Sequence, residues 1–82
     1  MTTKKPTVIN QPEVGKLIRE LRLLTGLTQE QFAAALGVTY PTINRWENGR
    51  SKPSPLAMQK IETQLYEMGE QGKDLLEKYL VN

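Results

Sequence analysis

The feature that most constrains this chain is the segment 28–49, TQEQFAAALGVTYPTINRWENG, whose small, turn-forming and apolar residues have the spacing of two short helices. Ala33 stands four residues before Gly37, and Ile43 and Trp46 follow that glycine by six and nine residues. Two helices that cross steeply over a short turn need a small residue at the crossing and a turn residue that tolerates positive φ. The second helix needs one apolar stripe. The segment therefore predicts two helices joined at Gly37, the second with an exposed polar face.

The residues around this pair predict where each of the first three helices begins. Apolar residues at steps of three and four predict a first helix over about 13–25. Thr28 followed by Gln31 fits the capping box that starts a second helix. Thr39 is expected to cap the third helix, and Pro41 in its first turn removes no helical hydrogen bond.

The C-terminal part predicts two more helices. Ser54 and Pro55 form the N-cap and first position of a fourth helix. Gly69 and Gly72 are expected to interrupt it, so a fifth helix is predicted over about 72–80. The apolar residues expected to face the core are Val14, Leu17, Ile18, Leu21 and Leu24 in the first helix, Phe32, Ala33 and Leu36 in the second, Leu56 or Ala57, Met58, Ile61, Leu65 and Met68 in the fourth, and Leu75, Leu76, Tyr79 and Leu80 in the fifth.

No segment alternates polar and apolar residues with period two, so the predicted fold is all-α, with about five helices. One domain is expected over residues 13–82. Residues 1–12 are expected to form a flexible arm, because the prolines there discourage regular structure and few residues are apolar. Lys4 and Lys5 in this arm either solubilise the chain or contact phosphate.

Composition excludes several classes of function. The 82 residues include no histidine and no cysteine, so the commonest general base, the commonest metal ligand and thiolate sites are all missing. We therefore expect a protein that is not an enzyme and has no metal or cofactor. No apolar run approaches the roughly 20 residues of a membrane helix, and a cytoplasmic protein is expected.

Residues 1–52 hold eight Lys and Arg against four acids, and residues 53–82 hold three against five. This asymmetry fits a polyanionic partner on one side, although ordinary surface charge also accounts for it.

The order of these motifs resembles the helix-turn-helix domain of the phage repressor/Cro family, also called the xenobiotic-response-element type. The resemblance covers about Val14 to Leu65, including the Gly-Leu-Thr-Gln-Glu entry, the Ala-x-x-x-Gly turn and the Trp-Glu-Asn-Gly exit. It implies a compact five-helix, lambda-repressor-like domain with the helix-turn-helix at helices 2 and 3. Such domains bind double-stranded operator DNA as homodimers, usually to repress transcription, with helix 3 in the major groove.

The resemblance also implies which side chains meet the bases of DNA. Tyr40, Pro41, Thr42 and Arg45 stand where the family reads base edges, and Asn44 lies on the same helix. Many phage repressors have paired glutamines where this chain has Tyr40 and Pro41, so base reading is expected to depend on Arg45 and Thr42. An arginine can bond to both O6 and N7 of guanine. The alternatives are a phosphate contact for Arg45 and a capping role for Thr42.

Other positions match the family's contacts with the DNA backbone and its internal bracing. Gln29 at the start of the second helix is expected to contact a phosphate and to brace the recognition helix. Phosphate contacts are likewise expected at Thr28, Asn48, Arg50 and Lys52, from backbone amides and side chains.

Arg22 and Glu47 match a pair that forms a structural salt bridge between the first and third helices. Trp46 is expected in the core rather than against DNA.

Two alternatives to a simple regulator remain open at this point. The first is an antitoxin that binds both DNA and a toxin protein; the second is a protein-interaction module that kept the fold but no longer reads bases. Two roles that do not exclude each other are also open for the fifth helix. It closes the core of its own protomer, and it forms a dimer interface that holds two recognition helices roughly 34 Å apart.

Overall fold

The computed structural model describes residues 13–79, and this part of the chain is helical without strands. Its five helices are α1 (Glu13–Thr25), α2 (Gln29–Leu36), α3 (Tyr40–Glu47), α4 (Pro55–Glu67) and α5 (Glu70–Tyr79). The predicted all-α fold is therefore confirmed. The predicted arm over residues 1–12, with Lys4 and Lys5, lies outside the described residues, as does Leu80.

The core is built around α1, which packs against α3 on one side and α5 on the other, while α2 contacts α3 and α4. Its fully enclosed side chains come from all of the first four helices: Leu17, Ile18, Leu21, Phe32, Ile43, Ile61 and Leu65. Trp46 is only 4% exposed, as expected for a core residue. Leu75 of α5 belongs to the same core, with Leu76 and Tyr79 packed against it. The fifth helix thus closes the core of its own protomer.

Two leucines expected in or near the core are instead exposed. Leu24 is 40% exposed, because it borders a groove between α1 and α5 that no other described residue fills. On α4 the sequence left Leu56 and Ala57 as alternatives. Ala57 is buried and Leu56 is 63% exposed, so the stripe of α4 begins at Ala57.

Capping residues set the starts of α2 and α3, and a glycine sets the turn between them. The N–H of Gln31 donates to the Thr28 hydroxyl at 3.1 Å, and the N–H of Thr28 donates to the Gln31 side chain at 3.0 Å, which completes the predicted capping box. Gly37 has φ of 73°, as the turn requires. Thr39 is the N-cap residue of α3, as predicted, but its hydroxyl makes no capping bond. The hydroxyl instead contacts the Thr42 hydroxyl at 2.9 Å.

The break predicted at Gly72 is also wrong, because α5 begins at Glu70 and Gly72 lies inside it. The turn between α4 and α5 is made by Gly69 alone, with φ of 66°. A Cβ added to Gly72 would overlap the carbonyl oxygen of Leu65 and lie 2.7 Å from its carbonyl carbon. Gly72 is therefore required by the close approach of α5 to the end of α4.

A second close approach fixes α3 against α1. Gly15 is buried in the first turn of α1. A Cβ at this position would overlap the carbonyl oxygen of Trp46 and lie 3.1 Å from that of Glu47. The C-terminal end of α3 therefore rests directly on the backbone of α1.

Candidate nucleic-acid interface

Helix α3 buries one face and leaves the other open. Ile43 and Trp46 are 0% and 4% exposed, whereas Tyr40 is 45% exposed and Arg45 is also exposed. Pro41, in the first turn, is exposed as well, and Thr42 is half-buried. Of the side chains predicted to meet base edges, Tyr40, Pro41 and Arg45 are therefore exposed, whereas Thr42 and Asn44 are half-buried.

Arg22 and Glu47 form a two-point ion pair between α1 and α3. Arg22 Nε donates to Glu47 Oε2 at 2.7 Å, and Nη2 donates to Oε1 at 3.1 Å. The two side chains are 14% and 5% exposed. The hydrogen bond to Glu47 raises the pKa of Arg22 above its ordinary value. A third donor, Nη1, reaches the Leu27 carbonyl at 3.2 Å, so this one side chain joins α1, the loop before α2, and α3.

Gln29 lies beside this pair at the start of α2. Its Nε2 donates to Glu47 Oε1 at 2.9 Å, and its Oε1 accepts from Asn44 Nδ2 at 3.4 Å. With Arg22, Thr28, Glu30 and Tyr40, it lines an open cavity of about 540 Å³ where α2 and α3 both begin. The structure thus shows Gln29 bracing α3 from α2, next to an accessible surface.

The segment that leaves α3 uses its backbone amides within the protein. The N–H groups of Asn48, Gly49 and Arg50 donate to the carbonyls of Asn44, Trp46 and Arg45, at 3.1, 3.0 and 2.8 Å. These bonds cap the C-terminus of α3. These three amides are therefore occupied within the protein, while the side chains of Arg50 and Lys52 are exposed.

The side chain of Asn48 is also occupied. Its Nδ2 donates to the Asn44 carbonyl at 2.9 Å and to Asn44 Oδ1 at 3.1 Å. Sequence reasoning missed these bonds, although the spacing i, i+4 places two asparagines on one helix face. It likewise missed the bonds from Gln29 to Glu47 and Asn44, which depend on how α2 crosses α3. At Thr28, the hydroxyl accepts the capping bond from Gln31 and keeps its own hydrogen as a donor.

Residues 13–79 contain no group of three or more side chains that could hold a metal ion. No helix in this range is long and apolar enough to cross a membrane.

Comparisons with known proteins agree with this geometry. Residues 18–65 match the family described as helix-turn-helix. An uncharacterized HTH-type transcriptional regulator of Archaeoglobus fulgidus is 33% identical over 66 residues, which is 79% of this chain and 29% of that protein. Another, from Methanothermobacter thermautotrophicus, is 49% identical over 45 residues, covering 55% of this chain and 65% of that protein.

A relative of a different kind carries the similar segment within an enzyme. Type II methyltransferase M1.ScrFI of Lactococcus lactis is 40% identical over 52 residues, which is 60% of this chain but 13% of that protein. The chain therefore spans between 13% and 65% of the length of these three relatives. No solved structure matches this chain significantly.

Proposed function

Because the chain belongs to the helix-turn-helix family, we propose that it is a sequence-specific regulator of transcription that binds double-stranded DNA. It acts as a homodimer on an inverted-repeat operator, represses transcription, and lays α3 in the major groove. The proposal rests chiefly on one observation: α3 exposes Tyr40 and Arg45 while its opposite face is held by the core and by the Arg22–Glu47 pair.

The fixed orientation of α3 supports base recognition. A helix that reads bases must hold its side chains in one register, since a bidentate arginine–guanine contact discriminates by about 1–3 kcal/mol only when both bonds form. Gly15, Trp46 and Glu47 fix the end of α3 against α1 at backbone distance. Arg45 projects from this anchored helix and is the proposed base reader, with Thr42.

The proposed backbone contacts come from residues on either side of α3. Gln29 stands at the start of α2, and Arg50 and Lys52 follow α3 with exposed side chains. Contacts of this kind fix the register on DNA without reading its sequence. The contacts from Arg50 and Lys52 also make the affinity fall steeply as salt rises, because each lysine or arginine side chain that binds a phosphate releases counterions from the DNA.

The test is selection of bound sequences from a random duplex library at two salt concentrations. The proposal predicts an enriched inverted repeat whose two halves are about one helical turn apart. Lys52→Ala should weaken binding to the enriched duplex and to unrelated duplexes by a similar factor, and should reduce the salt slope by about 1. Lys73→Ala, an exposed lysine on α5, is the matched control and should bind as the wild type does. Bound DNA without an enriched sequence, or no binding at low salt, would overturn the proposal.

A further inference from the structure

A continuous series of side-chain hydrogen bonds runs from α1 through α2 to the end of α3. Arg22 donates to Glu47, Gln29 donates to Glu47 at 2.9 Å, Asn44 donates to Gln29 at 3.4 Å, and Asn48 donates to Asn44 at 3.1 Å. Three of these side chains are carboxamides, each with a donor at one end and an acceptor at the other. The orientation of one amide therefore determines the orientation of the next.

Glu47 sets the direction of the whole series. Its carboxylate is paired with Arg22, is 5% exposed and can only accept hydrogen bonds. Gln29 must therefore turn Nε2 toward Glu47, which leaves its Oε1 for Asn44. Asn44 must in turn present Nδ2 to Gln29, which leaves its Oδ1 to accept from Asn48. Reversal of any one amide would bring two acceptors or two donors together.

We propose that Asn44 is a positioning residue, which acts on DNA through Gln29 and does not read a base edge. This inference rests on the proposed DNA-binding function. Asn44 is half-buried and both ends of its amide are bound within the protein. An asparagine that recognises adenine needs both ends of the amide for the base. Asn44 lacks that freedom unless it gives up two hydrogen bonds.

The bond from Asn44 orients the group that meets phosphate. Gln29 Nε2 carries two hydrogens, and Glu47 accepts one of them. The second hydrogen is the donor available to a phosphate oxygen. The bond from Asn44 to Gln29 Oε1 holds the carboxamide in the plane that keeps this donor in place. Without Asn44, only the bond to Glu47 fixes the Gln29 side chain, and the amide can rotate about it.

The test is a double-mutant cycle on the duplex enriched in the library selection. Gln29→Ala is expected to weaken binding about tenfold, as for the loss of one hydrogen bond to a charged group. Asn44→Ala should weaken binding by a similar or smaller factor, and the double variant should bind no more weakly than Gln29→Ala alone. Arg45→Ala combined with Gln29→Ala is the control pair, whose losses should multiply. A repeated selection with Asn44→Ala should return the wild-type motif, because no base contact is lost.

The remaining outcomes distinguish a failure of this inference from a failure of the proposed function. The inference would be overturned if the losses of DNA affinity from Asn44→Ala and Gln29→Ala multiply in the double variant. It would also be overturned if Asn44→Ala relaxes the selected motif at one base pair. Either result would leave the proposed function standing. A change in melting temperature without a change in DNA affinity would also overturn it, since that marks a purely structural role. If Asn44→Ala does not fold, Asn44→Ser, whose side chain is too short for both bonds, replaces it in the cycle. Failure to enrich any duplex would overturn the proposed function and this inference with it.

Discussion

At the scale of single residues, Glu47 organises the candidate interface although its side chain is only 5% exposed. Its two oxygens accept from Arg22 Nε, Arg22 Nη2 and Gln29 Nε2. A buried carboxylate requires such partners, and removal of one partner from a buried pair typically costs about 3–5 kcal/mol. The acidic residue thus contributes to the proposed DNA binding by fixing the residues around it, without contacting the polyanion.

This role of Glu47 predicts a pH-dependent stability for Gln29→Glu. The substitution keeps the side-chain shape but replaces Nε2 with a carboxylate oxygen. This oxygen would lie where Nε2 now stands, 2.9 Å from Glu47 Oε1. Two carboxylates at one site raise the pKa of the introduced carboxyl, so the folded variant binds a proton that the unfolded chain releases. The variant should therefore be markedly less stable than the wild type at pH 8, and the difference should shrink toward pH 5.

Urea unfolding at both pH values measures this difference. Gln29→Ala is the matched control, because it removes the same bonds without adding a charge. Its loss of stability should be similar at pH 8 and pH 5. A Gln29→Glu variant with the same deficit at both pH values would show that residues 29 and 47 do not meet as described.

At the scale of helices, the sequence predicted what local rules determine and missed what packing determines. The capping box at Thr28 and the turn at Gly37 are local, so their residue types predicted them. Gly72 looked like a helix break, because sequence alone cannot distinguish a glycine that ends a helix from one that lets two helices touch. Leu24 follows the apolar spacing of α1, but its burial depends on how far α5 extends over it. The amide series likewise depends on the crossing of α2 and α3.

The packing of α5 on α4 predicts that Gly72→Ala destabilises the protein. Alanine favours a helix interior by about 1 kcal/mol over glycine, so propensity alone predicts a gain. The added Cβ would instead overlap the Leu65 carbonyl, and overpacking of this kind costs about 1–3 kcal/mol. A net loss in the free energy of urea unfolding is therefore expected. Gln71→Ala, at the exposed neighbouring position, should be neutral or slightly stabilising. A Gly72→Ala variant more stable than the wild type would contradict the described contact.

A second contact of α5, between the Tyr79 hydroxyl and Glu20 of α1, predicts how stability varies with pH. The hydrogen bond from Tyr79 lowers the pKa of Glu20 below 4.5 and raises the pKa of Tyr79 to about 12. A lowered carboxyl pKa contributes stability at neutral pH that is lost as pH falls through the folded pKa. The raised tyrosine pKa contributes stability that is lost as pH rises from about 10 to about 12.

Tyr79→Phe should remove both contributions. At pH 7 we expect a loss of about 1 kcal/mol in the free energy of unfolding, the usual value of one hydrogen bond. At pH 3 the deficit relative to the wild type should be smaller, because protonation of Glu20 has already weakened the contact. Urea unfolding at the two pH values measures both. Equal deficits at pH 3 and pH 7 would mean that the Glu20 carboxylate does not hold α5.

At the scale of the whole molecule, α2 and α3 combine a buried face with the candidate interface. All five helices contribute to the core, and α2 and α3 also carry the candidate interface. The order of motifs was enough to predict the helix pair and the family, because each motif fixes a position in that pair. It was not enough to predict which polar side chains are occupied within the protein. The side chains of Asn44 and Asn48 form hydrogen bonds within the protein, whereas Arg45 is exposed on α3.

The measurement that tests the central claim most directly is a second library selection with Arg45→Ala. If α3 lies in the major groove and Arg45 reads a base, the variant should return the wild-type inverted repeat with one base pair per half-site relaxed, a loss of about 1–3 kcal/mol in discrimination. Lys73→Ala, exposed on α5, should return the wild-type motif unchanged. A motif from Arg45→Ala that is identical to that of the wild type at every position would contradict base reading by Arg45.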